Sequence, residues 1–297
     1  SMYPNIAISN NVYPEHLSKK FCEIYKDVYE QRKSYPKASA ENAMLKLALN
    51  GVYGDSNNQF SVFYDSAYTM KITINGQLSL CLLAEKLMDI EGLQIIQVNT
   101  DGITVKMKRT SREQYNQICA DWQKQVKLDL EYAEYKAMYI RDVNSYIAEY
   151  TNGKLKNKGA YEYKDLGWHK NHSSLVIPMA AEAKMLNGTD IREFIMGHTE
   201  KFDFMLRTKV PRSSRLVLVM ADGTELQQQN ICRYYPSKNG GKLVKIMPPL
   251  EPGEEERRLG IDTSWDVKCC NNIDDFADDI DYDYFVQEAE KLILTTV

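Results

Sequence analysis

The chain has 297 residues, 43% hydrophobic and 26% charged, enough for two or three subdomains with real cores and neither disordered nor fibrous in composition. Its net charge of −4 is unevenly placed: residues 251–297 hold four Lys/Arg against fourteen Asp/Glu, a net −10, which leaves +6 on the first 250. A mildly basic body with an acidic end permits a phosphate-binding groove, whereas the lack of any apolar run near the roughly 20 residues that cross a bilayer, or of signal-peptide order at the N-terminus, predicts a cytosolic chain with no membrane partner.

Taken in order, residues 15–32 place Leu17, Phe21, Ile24, Tyr25, Val28 and Tyr29 at helical spacing, which predicts a helix with one buried stripe. Ser34, Tyr35 and Pro36 break it, and Ser39 is placed to cap a second helix running through Met44 and Leu49 toward Tyr53. The polar run to Tyr68 predicts a loop, and 78–88 a further helix. Two strand-like runs, 93–98 and 103–107, flank Asn99, Thr100, Asp101 and Gly102, so a β-hairpin with a carboxylate at its tip is expected. Thr110 and Glu113 suggest a capping box for a helix to Val126, followed by strands at 128–132 and 138–150 and a turn at Asn152 and Gly153. From Gly167 onward helices are expected at 180–186 and 191–196. Cys22, Cys81, Cys119, Cys232, Cys269 and Cys270 form no CxxC pair and have no histidine at zinc spacing, so reduced thiols are expected.

Three clusters carry chemistry. Lys46, Asn50, Tyr53 and Gly54 fall at i, i+4, i+7 and i+8, so one helix face offers a cation, an amide, a ring and a bare backbone patch suited to a triphosphate and a base. The same residues also describe a solvated face ending in a glycine C-cap. Asp101 sits in a turn that holds a carboxylate with little entropy to lose, though Asn-Thr-Asp-Gly is also simply a good turn. Lys154, Lys156 and Lys158 alternate along one strand face, fit to follow a phosphate backbone or to protect a solvated edge strand. Nothing in the spacing assigns His169 or His172 to catalysis.

The segment KLALNGVYG, from Lys46 to Gly54, resembles the family B DNA polymerase motif of Lys, three residues, Asn, two residues and Tyr-Gly. The resemblance implies that Lys46 binds the phosphates of the incoming nucleotide, that Asn50 supports that site and that Tyr53 lies against the nascent base pair. Arg32 and Lys33 resemble further phosphate-gripping residues. SMYPN resembles the end of the first palm motif, with Tyr3 at the position of the gate that excludes a 2′-hydroxyl; outside the family, Tyr-Pro describes a strand end or turn. NTDG resembles the third motif, with Asp101 as the metal-binding carboxylate and Asn99 where the family usually has aspartate. KNKGAY resembles the lysine-rich motif that touches primer-template duplex, with Lys156, Lys158 and Tyr161 in that role.

Taken together, the resemblance implies the α+β right hand of a bacteriophage-type polymerase. An antiparallel β palm takes 1–14 and 54–166, helical-hairpin fingers take 15–53, and a mixed, mainly helical thumb with the acidic end takes 167–297. The implied reaction is template-directed deoxynucleotidyl transfer to a primer 3′ end with two Mg2+ ions, in the cytoplasm of a phage-infected host. The implied partners are primer-template DNA, deoxynucleoside triphosphates and an upstream part carrying the exonuclease and the first palm aspartate. That aspartate is expected three positions before Ser1, which leaves a non-catalytic nucleic-acid-binding remnant as the alternative, beside an unrelated adaptor with chance motifs.

Overall fold

A computed structural model describes residues 2–167, 170–251, 253–262 and 264–294. The fold is mixed α+β with antiparallel sheets throughout. It separates into two compact units, Ser1–Tyr132 and Ala133–Val297, so the residues 54–166 assigned to one subdomain from sequence are shared between both.

The first unit is built on α1 (Met2–Asn10), α2 (Lys20–Lys33), α3 (Ala40–Asp55), α4 (Ser66–Met88) and α5 (Arg112–Val126), with β1 (Gln94–Val98) and β2 (Ile103–Lys106). Tyr3-Pro4, which suggested a strand end or turn, lies in the first turn of α1, where proline's missing N–H costs nothing. In α2 the buried stripe is centred on Cys22 and Tyr25, and Ile24, a hundred degrees around the helix from its neighbour, is 55% exposed rather than part of it. Ser39 caps α3 as expected, its hydroxyl accepting from Asn42 N at 3.2 Å.

Helix α4 begins twelve residues earlier than the apolar density predicts. Asp65 caps it, accepting from Tyr68 N at 3.0 Å, and the buried series Tyr68, Ile72, Gly76, Leu80, Leu83 and Leu87 forms one face despite the polar residues between. At Gly76 a β-carbon would meet Met2 Cε at 3.0 Å and Tyr3 Cε1 at 3.5 Å, so glycine is what lets α1 cross α4 so closely. The predicted capping box of α5 is absent. A 3-10 turn at Arg109–Ser111 leads into the helix and no side chain caps it. The run 128–132 forms no strand either: Leu128 drops into the core and Leu130 N donates to Gln123 Oε1 at 2.7 Å. The core of this unit gathers Ile6, Tyr25, Leu49, Ile72, Leu87 and Trp122 from all five helices.

The second unit opens with an antiparallel meander, β3 (Tyr135–Asp142), β4 (Ser145–Tyr150) and β5 (Leu155–Lys158). What reads as one stretch at 138–150 is two strands, turned where Asn144 N donates to Asp142 Oδ1 at 2.8 Å. The Asn152-Gly153 turn forms as expected, with Gly153 at a φ of 80°. Helices α6 (Val176–Asn187) and α7 (Ile191–Gly197) follow, and α8 (Tyr282–Leu294) closes the unit.

Between α7 and α8 the expectation of a mainly helical region fails. Among the described residues six strands lie there: β6 (Leu206–Lys209), β7 (Arg215–Val219), β8 (Glu225–Gln228), β9 (Ile231–Met247), β10 (Arg257–Ile261) and β11 (Val267–Cys269). The 17-residue β9 organises them, pairing β6 and β11 along its first half and β7 and β10 along its second. The halves meet at Gly240 and Gly241, where a β-carbon would stand 2.3 Å from Val267 O and 2.5 Å from Val219 O. Pro236, Asn239 and the two glycines hide this strand from a propensity reading. Among the described residues no helix is long and apolar enough to cross a membrane.

Candidate functional site

The first unit brings Tyr3 and Tyr53 into contact and presents Asp101 on the same unit. The rings of Tyr3 and Tyr53 lie 4.1 Å apart between centroids, 31° from parallel. Burial raises the Tyr3 phenol above its ordinary pKa, followed by Tyr53 and then by the field of the Asp101 carboxylate. The hairpin tip therefore lies within electrostatic reach of the ring pair. Thr73 Oγ1 donates to Thr69 O at 2.8 Å, which leaves its oxygen to accept from the Tyr53 hydroxyl, also 2.8 Å away.

Asp101 is exposed at the end of the β1–β2 hairpin. Its turn closes through Asn99 N to Gly102 O at 3.0 Å, and Asn99 Oδ1 accepts from Asp101 N at 3.2 Å. Asn99 thus shapes the turn in the way an aspartate there would.

Lys46 and Asn50 stand exposed on α3, and Tyr53 is half-buried one turn beyond. The helix beneath them is fastened by Leu49, buried in the core, whose carbonyl accepts from the Tyr25 hydroxyl at 2.5 Å. Gly54 is not a C-cap: the helix continues through it to Asp55, and neither Gly51 nor Gly54 has an atom within 4 Å of where a β-carbon would be. The end of α3 therefore offers open backbone to a ligand.

At the other end, Arg32 Nε donates to Asn42 Oδ1 at 3.2 Å, while Asn42 Nδ2 donates to Arg32 O at 3.1 Å and Tyr35 O at 3.0 Å. Buried Asn42 locks the α2–α3 hairpin and holds the Arg32 guanidinium one helical turn before Lys46. Sequence reasoning missed Asn42, Thr73 and Gly76, which act through partners 7 to 74 positions away; the only local signal was polar and glycine residues inside helical periodicity.

In the second unit Lys156 and Lys158 share one face of β5, opposite Ala148 and Tyr146. Lys156 Nζ lies 5.8 Å from the Tyr146 ring centroid. Burial depresses its pKa, but Tyr146, Tyr135 and Tyr150 together outweigh that and raise it. Lys158 pairs with Glu162 at 3.4 Å. Tyr161 departs from the expected duplex contact: its side chain is fully buried against Ile147 and Ala181, and its hydroxyl donates to Leu292 O at 2.8 Å. A ring inside the core offers no face to nucleic acid.

Asn157, between the two lysines, points the other way and donates to Tyr161 O at 2.9 Å and to Glu182 Oε2 at 2.5 Å. Glu182, buried in α6, also accepts from Tyr163 at 2.7 Å and Lys164 at 2.9 Å. Burial opposes its ionisation, yet these donors hold its pKa below the usual value. The lysine strand is thereby anchored to a helix. His172 Nε2 approaches Gly167 O at 3.3 Å, and His169 lies outside the described residues.

Among the described residues no group of three or more His, Cys, Asp or Glu is arranged to hold a metal ion. Asp101 suits one ligand of a metal site and does not, by itself, suit the two ions implied by the sequence motif.

No family model matches the sequence, and no curated protein matches it. Among solved structures, the family B DNA polymerase of the hyperthermophilic archaeon Pyrobaculum calidifontis is similar with a TM-score of 0.49 and 14% identity, over 99% of this chain and 43% of that one. The chain spans less than half the length of that polymerase.

Proposed function

We propose that the chain is the fingers, palm and thumb part of a family B DNA polymerase, adding deoxynucleotides to a primer 3′ end under the direction of a template. The observation that carries this reading is the contact of the Tyr3 and Tyr53 rings, motif residues fifty positions apart, in the unit that also presents Asp101. Chance matches to separate motifs have no reason to meet in space.

In this reading the α2–α3 hairpin is the fingers. Lys46 and Arg32 grip the triphosphate, Asn50 supports them and open backbone at Gly54 lets the base pair settle against Tyr53. The ring of Tyr3, braced by Tyr53, fills the space under the sugar. The primer 3′-oxygen forms a bond to the α-phosphorus, pyrophosphate leaves with the electrons of the broken bond, and the hydroxyl proton passes to solvent. Two Mg2+ ions require a second carboxylate beside Asp101, which the reading assigns to an upstream part of the polymerase. Lys156 and Lys158 follow the DNA backbone. The finer assignment to a bacteriophage, and to the cytoplasm of its host, rests on the motif resemblance.

Primer extension tests the proposal. The chain mixed with an upstream polypeptide carrying the first palm aspartate should extend a primer in Mg2+, and Asp101→Asn should abolish extension. The second reading, a remnant that binds nucleic acid without chemistry, draws on the lack, among the described residues, of three or more His, Cys, Asp or Glu arranged to hold a metal ion; it predicts DNA binding with no extension from any mixture. Extension that survives Asp101→Asn refutes the metal-ligand role.

A further inference from the structure

The positive excess of the first 250 residues is concentrated in one place: residues 206–247 hold eight Lys/Arg against two Asp/Glu, a net +6. These are strands β6 to β9 of the second unit, a region in which no motif foretold a binding role. Within it, Arg207 of β6 and Arg233 of β9 are direct cross-strand partners. Like charges set opposite each other in an antiparallel pair destabilise the sheet. Lys209 extends the same face, two residues along β6.

Among the described residues neither arginine is relieved by a neighbouring acid. Among the described residues no carboxylate pairs with Arg207, Arg233 or Lys209, and the next cation on this face, Lys268 opposite Tyr235, is matched by Asp279 at 2.5 Å. Burial and then the Arg207 charge depress the Arg233 pKa from its ordinary value. Arg233 is nonetheless held in place: its guanidinium lies 4.5 Å from the Phe202 ring centroid, and Nη1 donates to His172 O at 2.9 Å. One fork edge is thus committed to the protein, which leaves other guanidinium donors for a ligand. An unneutralised pair of guanidinium groups, one of them held in place, matches the oxygens of a phosphate, the ligand arginine forks bind best.

We propose that Arg207, Arg233 and Lys209 form a phosphate-binding site on this strand module, its ligand the sugar-phosphate backbone of DNA. The choice of DNA over a free phosphate rests on the polymerase reading; the site itself does not.

The test measures binding of a labelled primer-template duplex by the full chain, by fluorescence anisotropy across a salt series. The double variant Arg207→Gln/Arg233→Gln should bind about tenfold more weakly at low salt. Its slope of log K against log salt should be shallower by about one for each lost phosphate contact. Its thermal midpoint should equal or exceed the parent's, because the like-charge repulsion is gone. Arg207→Lys/Arg233→Lys keeps the charge without the fork and should restore the slope with incomplete affinity, which provides a reading even if the glutamine pair folds poorly. Unchanged affinity and slope in both variants overturn the site. Inorganic phosphate stabilising the parent but not the glutamine variant, with the DNA slope unchanged, overturns the choice of nucleic acid. Asp101→Asn, carried in parallel, should leave the salt slope intact, so failure of the polymerase reading stays separate from failure of this one.

Discussion

Tyr3 and Tyr53, fifty positions apart, stack with their ring centroids 4.1 Å from each other, and that contact fastens the first helix of the chain to the end of α3. The Tyr53 ring is fixed in turn by the Thr73 hydroxyl at 2.8 Å. Under the proposed reading Tyr3 senses the sugar, a task that needs a ring unable to swing aside, and the contact with Tyr53 is the restraint. Shortening Tyr3 to alanine should therefore raise the incorporation of ribonucleotides relative to deoxynucleotides by at least about tenfold, a discrimination of the size steric pockets provide. Tyr3→Phe keeps the ring and should keep the selectivity. The check is incorporation of each nucleotide by the chain mixed with the upstream polypeptide of the proposed reading.

Helix α1 lies close against α4 at Gly76, where a β-carbon would stand 3.0 Å from Met2 Cε. Alanine needs only a small shift of a flexible side-chain end. Valine adds two methyl groups against Tyr3 and Ile6 and should cost about 1–3 kcal/mol in urea denaturation, the usual penalty of overpacking.

Removing the Tyr161 hydroxyl separates a core role from a DNA-binding one. Tyr161→Phe loses the bond to Leu292 O and should destabilise the chain by about 1 kcal/mol. Duplex affinity at fixed salt should not change, because the ring is fully buried. A loss of affinity with unchanged stability would reverse that assignment.

Glu182 gives the chain an acid-sensitive joint. The folded state holds this carboxylate below the ordinary glutamate value, so the unfolded chain takes up the proton first as pH falls. The stabilisation is complete above about pH 4.3 and is lost as pH drops through the folded value. Glu182→Gln should lower the neutral-pH stability by about 2 kcal/mol through the weakened acceptor and flatten the stability profile below pH 5. Denaturation midpoints measured from pH 3 to 7 give the comparison.

The α2–α3 hairpin was legible because its signals are local. Ser39 caps a helix three residues on, and the stripe around Tyr25 repeats every turn. The hairpin that presents Asp101 was legible for the same reason, its turn closing over four residues. Helix α4 was half-hidden because the face that buries Tyr68, Ile72 and Gly76 is interleaved with Thr, Asn and Gln, and periodicity weakens where few residues are apolar. The six strands between α7 and α8 escaped entirely. Among them β9, which pairs with four of the others, is long, charged and glycine-interrupted, and it gains strand structure from neighbours on both edges rather than from its own propensity.

The sequence by itself determined the Ser39 cap of α3, where the Asp101 and Asn152-Gly153 turns fall, and which side chains could serve phosphate chemistry, since these signals act within a few residues. Tertiary structure alone decided that Tyr3 stacks on Tyr53, that Tyr161 belongs to the core, and that Arg207 faces Arg233 across a ladder. Those outcomes follow from strand register and helix crossing, which join segments tens of residues apart and leave no trace in local patterning.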